Sequence, residues 1–254
     1  MRPIFRFFQI VYTIYASLVF AAFLLIIFPL VLLTVFLPKK TRGNIIYQIT
    51  RIGFDVVMIL WGIFHRNIYE FPHDRKKPVI FVFNHISYLD AFIILKAVRR
   101  QHFRGLGKSE IGKIPIFGFI YSSAVIMVTR ADAADRARSV SDLKNALSDN
   151  ISIILAPEGT FNETNKPLTK FYDGAFRIAI ETKTPIKPLL FLDTYDRLNY
   201  SVSFSLTPGR SRVVYLDEIS VEGYDIADLP ILRQKVYDVM EAALIRHKAS
   251  WIKD

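Results

Sequence analysis

The chain has 254 residues and carries 33 Lys and Arg against 23 Asp and Glu, for a formal net charge of +10. It has no cysteine, which excludes disulfides, thiolate zinc sites and cysteine nucleophiles. The hydrophobic share of 52% and the mean hydropathy of +0.28 are high for a soluble protein and low for one with many membrane spans, so we expect a soluble domain with a hydrophobic attachment.

Most of the positive charge lies in the N-terminal part, where residues 1–77 hold ten Lys and Arg and three acidic residues. Basic side chains flank both ends of a charge-free run at residues 7–37, so the positive-inside rule predicts that both ends lie on the cytoplasmic side. Cations beside an apolar anchor favour anionic lipid headgroups, at about 1 kcal/mol per Lys or Arg near the surface. Since no basic helix, zinc motif or aromatic RNA-binding motif is visible, we expect no nucleic-acid partner.

The first predicted elements are two apolar helices. As a single helix, residues 7–37 would extend about 46 Å, against a hydrocarbon core of about 30 Å. A second apolar stretch, residues 45–64, is interrupted by Arg51 and Asp55 and ends in aromatic and basic residues typical of a membrane interface. We therefore expect a membrane-attachment region over residues 1–68, as two helices that either cross the bilayer twice or lie within one leaflet. One anchor helix followed by a soluble helix is the alternative, and a cleaved signal peptide is disfavoured because no cleavage pattern follows.

From residue 78 onward, apolar runs of strand length alternate with helical patterns. Strands are predicted over residues 79–83, 125–128, 151–155 and 186–192. Helices are predicted over residues 87–98, 135–147, 173–181 and 229–247. Residues 200–206 and 212–216 are predicted to form an antiparallel pair. The expected fold of the domain at residues 69–254 is α/β, with a mainly parallel central sheet flanked by helices and an antiparallel edge, and its site lies at the carboxyl ends of strands.

A histidine and a carboxylate follow the first of these strands. Segment 84–90 is NHISYLD, with His85 in the turn after the strand and Asp90 beyond it. On one continuous helix the two side chains would point about 140° apart, but they can meet if the helix begins at Ser87. A neutral histidine accepts a proton near pH 7, and a carboxylate on its other ring nitrogen fixes the tautomer. We interpret the pair as a candidate general base with its orienting partner; helix capping by Asp90 and Ser87 is the alternative.

A turn containing Glu158, Gly159 and Thr160 follows the strand predicted at residues 151–155. Glycine permits close approach of the backbone, and the Glu and Thr side chains can bond hydroxyls or backbone amides. Taken alone, this segment is also typical of an ordinary turn.

Two cations are predicted at further strand ends. Lys108 follows a glycine-rich segment, and Arg130 follows the strand predicted at residues 125–128. Cations in such places can bind a phosphate, Arg through two parallel hydrogen bonds. Each alone is equally typical of a solvated surface charge.

The order of these motifs resembles the glycerolipid acyltransferase family, most closely the bacterial 1-acyl-sn-glycerol-3-phosphate acyltransferases. His-x-x-x-x-Asp, the glycine-lysine segment, the strand-end arginine, Pro-Glu-Gly-Thr and Pro-Ile-Lys-Pro follow one another over residues 78–192. The resemblance extends to the apolar N-terminal helix pair. The ordered set is specific, although no single motif is.

The resemblance implies a role for each candidate residue. By it, His85 is the general base and Asp90 orients it, while Lys108 and Arg130 hold the phosphate of the acceptor. The acceptor-binding motif of the family corresponds to Glu158, Gly159 and Thr160.

Two further segments bear on the resemblance. A downstream pattern of a basic residue, an aromatic residue and a glycine corresponds to Lys170, Phe171 and Gly174. The family usually has Arg after Glu-Gly-Thr, where this chain has Phe161. That departure removes one phosphate ligand and weakens the expectation that lysophosphatidate is the sole acceptor.

The activity that the resemblance implies is acyl transfer from acyl-CoA or acyl-carrier protein to the free sn-2 hydroxyl of 1-acyl-glycerol-3-phosphate. The product is phosphatidic acid, and the expected place is the membrane, at the cytoplasmic face of the bacterial inner membrane. The implied partners are membrane lipids, the lysophospholipid acceptor and the thioester donor, with no cofactor and no metal. Three alternatives stay open: another monoacylated acceptor such as a lyso-aminolipid, a membrane-tethered hydrolase using Ser87 or Thr160, and a non-catalytic membrane adaptor. The absence of Gly-x-Ser-x-Gly from the sequence argues against a serine esterase.

Overall fold

The apolar runs of the chain form a seven-stranded sheet, here described from a computed structural model that covers residues 3–129 and 131–253. The strands are β1 (Ile63–Tyr69), β2 (Ile80–Phe83), β3 (Phe103–Lys108), β4 (Ile126–Val128), β5 (Ser152–Leu155), β6 (Ile186–Phe191) and β7 (Gly209–Tyr215). The helices are α1 (Pro3–Leu32), α2 (Lys39–Leu60), α3 (Asp90–Ala97), α4 (Phe117–Ala124), α5 (Ala133–Ser148), α6 (Gly174–Thr182), α7 (Thr194–Arg197) and α8 (Leu229–Arg246).

Neighbouring strands follow the order β1-β7-β6-β2-β5-β3-β4. β6 and β7 pair antiparallel, and the other neighbours pair parallel. The central strands β2 and β5 are buried along their whole length, because helices cover both faces of the sheet, and this is why they appear in the sequence as continuous apolar runs. The predicted α/β fold, with a mainly parallel sheet and an antiparallel edge, is confirmed.

The two faces of the sheet carry different helices. On one face, α1, α2 and α3 pack with the sheet around residues such as Phe54 and Phe81. On the other face, α5, α6 and α8 pack around Val82, Phe176 and Met240. Because successive strand residues point to opposite faces, Phe81 and Val82 divide between these two parts of the core.

The helices α1 and α2 correspond to the two predicted apolar helices, and both are long and apolar enough to cross a membrane by length and composition. α1 continues through Pro29 and exposes large apolar side chains such as Phe8 and Ile26. Its inner side is bonded to the domain, since Gln9 Nε2 of α1 donates to the carbonyl of Ser205 at 3.0 Å. An apolar outer surface joined firmly to the domain is consistent with membrane association.

The strand β1 is an addition to the predicted elements. The predicted second helix extends to residue 64, whereas α2 ends at Leu60 and β1 begins at Ile63. β1 lies at the sheet edge beside β7 and is only partly buried, so it contains polar residues. Because of these polar residues, the sequence of β1 resembles a membrane interface more than a buried strand. The sheet therefore begins inside the predicted attachment region 1–68.

The predicted strand at residues 200–206 is wrong, because this segment forms turns and irregular loop. Phe204 has a φ of +52°, which is incompatible with a regular strand. Side chains of α1 occupy the backbone groups that a strand would pair: Gln9 Nε2 donates to Ser205 O at 3.0 Å, and Leu206 N donates to Thr13 Oγ1 at 3.2 Å. β7 instead pairs with β6 and β1.

Candidate active site

The predicted site residues lie along the sheet edge where the parallel strands end. β2 ends just before His85, β5 ends just before the turn that carries Glu158, and β3 ends at Lys108. Because β2, β5 and β3 are parallel neighbours, their carboxyl ends meet at one edge of the sheet. Arg130, which the sequence also places at a strand end, lies outside the described residues.

His85 and Asp90 form a hydrogen-bonded pair at this edge. His85 Nδ1 lies 2.8 Å from Asp90 Oδ2, and the same oxygen accepts the backbone N–H groups of Ile86 and Ser87 at 2.8 and 2.9 Å. The Asp90 side chain is fully buried, whereas 26% of the His85 side chain is exposed. Since a carboxylate only accepts hydrogen bonds, Nδ1 carries the proton and Nε2, which bonds no described residue, presents its lone pair.

The turn between β2 and α3 brings the two side chains together. α3 begins at Asp90 rather than at the predicted Ser87, and Asp90 N donates to Ser87 O at 3.1 Å. The Asp90 carboxylate binds the imidazole of His85 and also the backbone N–H groups of Ile86 and Ser87 in the turn before α3. The Ser87 hydroxyl is buried, donates to Leu198 O at 2.6 Å and accepts from Leu89 N at 3.0 Å. These bonds give Ser87 a structural role and argue against it as a nucleophile.

Glu158 joins the loop of His85 to a second loop. Its Oε1 accepts the backbone N–H of His85 at 3.0 Å, and its Oε2 accepts both N–H and Oγ1–H of Thr169 at 2.8 Å. Burial raises the pKa of the Glu158 carboxyl, and these donors oppose that shift. Through these contacts Glu158 links the backbone of His85 to the loop that carries Thr169.

We expect Glu158→Ala to destabilise the protein by about 3 kcal/mol, because the partly buried donors of His85 and Thr169 would lose their buried acceptor. Chemical unfolding in detergent measures the effect. Glu163→Ala is the matched control: it removes an exposed carboxylate from the same loop and should change stability by less than about 0.5 kcal/mol. Equal stability of the two variants would show that Glu158 does not hold these loops together.

Two buried asparagines also fix the histidine loop, although no prediction from the sequence included them. Asn84 exchanges hydrogen bonds with the backbone of Phe191 at 2.8 and 3.1 Å, which ties the ends of β2 and β6 together. Asn162 N donates to His85 O at 2.7 Å. The position of Asn84 directly after a buried strand could have marked it as a site residue in the sequence. Asn162 and Thr169 have no such mark, because only the folded chain brings them next to His85 and Glu158.

Phe161 packs directly on the candidate base. The ring centroids of Phe161 and His85 are 4.3 Å apart. Tyr88 and Tyr200 pack on Phe161 with centroid distances of 4.7 and 6.0 Å. This aromatic cluster of Tyr88, Phe161 and Tyr200 gives His85 an apolar neighbour at the position where the resemblance leads us to expect an arginine.

The other predicted binding residues are distributed along the same edge. Lys108 and Thr160 are exposed, and β5 separates the strand of Lys108 from β2. Gly159 has a φ of +71°, which favours glycine, and a Cβ there would lie 3.0 Å from the exposed ring of Tyr172. Among the described residues, no group of three or more His, Asp or Glu side chains is placed to hold a metal ion.

Residues 63–192 match the sequence model of the acyltransferase family. This segment makes up half of the chain and contains His85, Asp90 and Glu158. The chain belongs to the acyltransferase family. The matched region begins with β1 and ends just after β6, so it includes the site edge of every parallel strand from β2 to β6.

Two named relatives of this acyltransferase come from Haemophilus influenzae and from human. It is 29% identical to the 1-acyl-sn-glycerol-3-phosphate acyltransferase of Haemophilus influenzae over 177 residues, which are 68% of this chain and 72% of the relative. It is 25% identical to the human 1-acyl-sn-glycerol-3-phosphate acyltransferase beta over 172 residues, which are 67% of this chain and 61% of the relative.

A solved structure has the same fold. The crystal structure of the 1-acyl-sn-glycerophosphate (LPA) acyltransferase PlsC from Thermotoga maritima matches this acyltransferase with a TM-score of 0.71 at 21% identity, covering 100% of both chains. The likeness therefore extends over the N-terminal helices as well as the sheet.

Proposed function

We propose that this acyltransferase transfers a fatty acyl group from an acyl thioester to the free sn-2 hydroxyl of 1-acyl-glycerol-3-phosphate, giving phosphatidic acid. The observation that carries the proposal is the His85–Asp90 pair, with Nδ1 held at 2.8 Å by the buried carboxylate. The relatives in Haemophilus influenzae and human, which carry the name of this activity, support the choice of acceptor.

In the proposed mechanism, His85 is the general base. An alcohol is a poor nucleophile at neutral pH, so Nε2 removes the hydroxyl proton as the oxygen attacks the thioester carbonyl. The tetrahedral intermediate then expels the thiolate, which takes the proton from the imidazolium, so an ester and a free thiol form and His85 is neutral again. Asp90 stabilises the imidazolium between the two steps. General-base assistance of this kind contributes about 10²–10⁴ in rate.

The arrangement of the helices favours an acceptor that stays in the bilayer. α1 and α2 expose apolar side chains on the same molecule whose sheet edge carries His85. An acyl chain in the membrane gains about 0.8 kcal/mol per buried CH₂, so a site held at the surface meets lysophosphatidate without extracting it into water. We place the site at the cytoplasmic face of the bacterial inner membrane, where acyl-CoA or acyl-carrier protein supplies the thioester.

Phe161 favours a second candidate function, acylation of a monoacylated lipid that lacks a phosphate, such as a lyso-aminolipid. The ring occupies the space beside His85, at 4.3 Å between centroids, and an aromatic ring offers no hydrogen bond to a phosphate. Lys108 at the end of β3 and Arg130 are the cations we assign to the phosphate in the first candidate.

An acceptor panel separates the two candidates. With a labelled acyl thioester and purified enzyme in detergent micelles, we expect lysophosphatidate to give at least tenfold higher kcat/KM than an acceptor of equal chain length without the phosphate, since charge-assisted bonds to phosphate contribute about 1.5–3 kcal/mol. Lys108→Ala should remove much of that preference. Selective use of the phosphate-free acceptor would instead establish the second candidate.

A further inference from the structure

A cavity of about 570 Å³ lies between the loop at residues 164–171 and α8. Its apolar lining comes from Leu168, Phe171 and Tyr237, and three cations line it as well: Lys166, Lys170 and Arg233. The volume is large enough for a small organic ligand. We call it the loop–α8 cavity.

The loop–α8 cavity has an excess of positive charge. Arg233 is paired with Asp173, but the exposed Lys166 and Lys170 form no ion pair with any residue in the described ranges. Cations beside apolar side chains fit a ligand with a partly apolar body and an anionic end, and phosphate is an anion that lysine commonly binds.

One carboxylate connects this cavity to the candidate base. Thr169 lines the cavity and donates its N–H and hydroxyl to Oε2 of Glu158, while Oε1 of the same carboxylate accepts the N–H of His85. His85 itself does not line the cavity. The cavity is therefore joined to the loop of His85 through the Glu158 carboxylate.

The cavity also lies on the face of the sheet away from the apolar helices. α8 and Phe171 belong to the part of the core opposite the one that α1 and α2 cover. If the membrane meets α1 and α2, the cavity opens on the aqueous side. The lipid acceptor would approach from the membrane side, at α1 and α2. The cavity on the opposite face is then available to a water-soluble reactant.

We propose that the loop–α8 cavity binds the phosphorylated end of the pantetheine arm of the acyl thioester donor, with Lys166 and Lys170 contacting the phosphate. The inference rests on the proposed function, which requires such a donor. Both acyl-CoA and acyl-carrier protein present their thioester on a pantetheine arm that ends in a phosphate, so the same contact serves either donor. The two amides and short alkyl segments of the arm suit a cavity with a mixed lining.

The test compares two donors that differ only in the phosphate, acyl-4′-phosphopantetheine and acyl-pantetheine, on the full-length enzyme with a saturating acceptor. In the wild type, we expect the phosphate to lower the donor KM about tenfold, as two exposed ion pairs together would. In Lys166→Ala/Lys170→Ala the difference between the donors should disappear, while kcat and the acceptor KM stay the same. Lys76→Ala/Lys235→Ala, which removes two exposed lysines that do not line the cavity, should keep the wild-type difference.

Two results would overturn the inference: equal KM values for the two donors in the wild type, or a phosphate effect that survives in Lys166→Ala/Lys170→Ala. Acyl-carrier protein and acyl-CoA form a further pair of donors. A KM increase for both in the lysine variant supports binding of the shared arm, whereas an increase for the carrier protein alone would show recognition of the protein surface instead.

A binding measurement separates this inference from the proposed function. Calorimetric titration of 4′-phosphopantetheine into His85→Ala needs no turnover, and we expect about tenfold weaker binding when Lys166→Ala and Lys170→Ala are added. If the lysines control binding but no phosphatidic acid forms in the wild type, the proposed function fails and the cavity assignment stands. If phosphatidic acid forms and the donor phosphate has no effect, only the cavity assignment fails.

Discussion

His85→Ala should lower kcat for acyl transfer to lysophosphatidate by about 10²–10⁴, the range that general-base assistance contributes. The variant loses the imidazole whose Nδ1 is held by the buried Asp90 carboxylate and whose Nε2 can take the hydroxyl proton. The fold should persist, because the backbone N–H of residue 85 still bonds Glu158 and the lost ring was partly exposed. A labelled-thioester assay with matched unfolding and membrane-binding measurements tests both expectations.

The chain contains a matched control for this variant. His247 also bonds a carboxylate, with Nε2 lying 2.8 Å from Glu70 Oε1, but it follows α8 rather than a parallel strand. His247→Ala should keep near-normal turnover. Near-normal turnover in His85→Ala would refute the general-base mechanism, and equal losses in both variants would point to folding rather than chemistry.

Asp90→Asn should lower kcat by about 10² or more, because a neutral amide cannot stabilise the imidazolium that forms during transfer. The exchange is nearly isosteric. The amide oxygen can take the place of Oδ2, which accepts three donors, and the amide nitrogen can take the place of Oδ1, which has no partner among the described residues. We therefore expect KM for the acceptor to change little, and single-turnover measurements with saturating acceptor to show the loss in the chemical step.

Asp90→Ala separates the two functions of the carboxylate. It removes the acceptor of the Ile86 and Ser87 N–H groups, so we expect a stability loss of about 3 kcal/mol, against about 1 kcal/mol for Asp90→Asn. Wild-type turnover in Asp90→Asn would contradict the assignment of Asp90 as the partner of the base. Equal stability of the two variants would contradict its structural role in the turn.

Local spacing was enough to suggest the His85–Asp90 pair as a hypothesis, and the order of the motifs favoured it over helix capping. The two residues are close in sequence and follow a buried strand, so a turn alone decides whether they meet. The bond between His85 and Glu158 could not be predicted in this way, since it joins residues that are 73 apart and depends on β2 and β5 being neighbours. Sequence patterns indicate which segments are strands, but not the order in which those strands pair.

The errors in the predicted elements have a related cause. β1 is an edge strand with polar residues in its middle, so it lacks the continuous apolar pattern of the buried strands. Residues 200–206 have an apolar alternation, but α1 supplies the hydrogen-bond partners of their backbone. In both cases a contact with a distant part of the chain decides the local structure.

The pairing of β1 with β7 has a consequence for synthesis of the protein. In the part of the chain that the structure describes, β1 pairs only with β7. The first strand can therefore pair only after residues 209–215 have been synthesised. The apolar α1 and α2 leave the ribosome well before the sheet edge next to them is complete. Early insertion into the bilayer would shelter these helices during that interval, and a nascent chain released into water would expose them to aggregation.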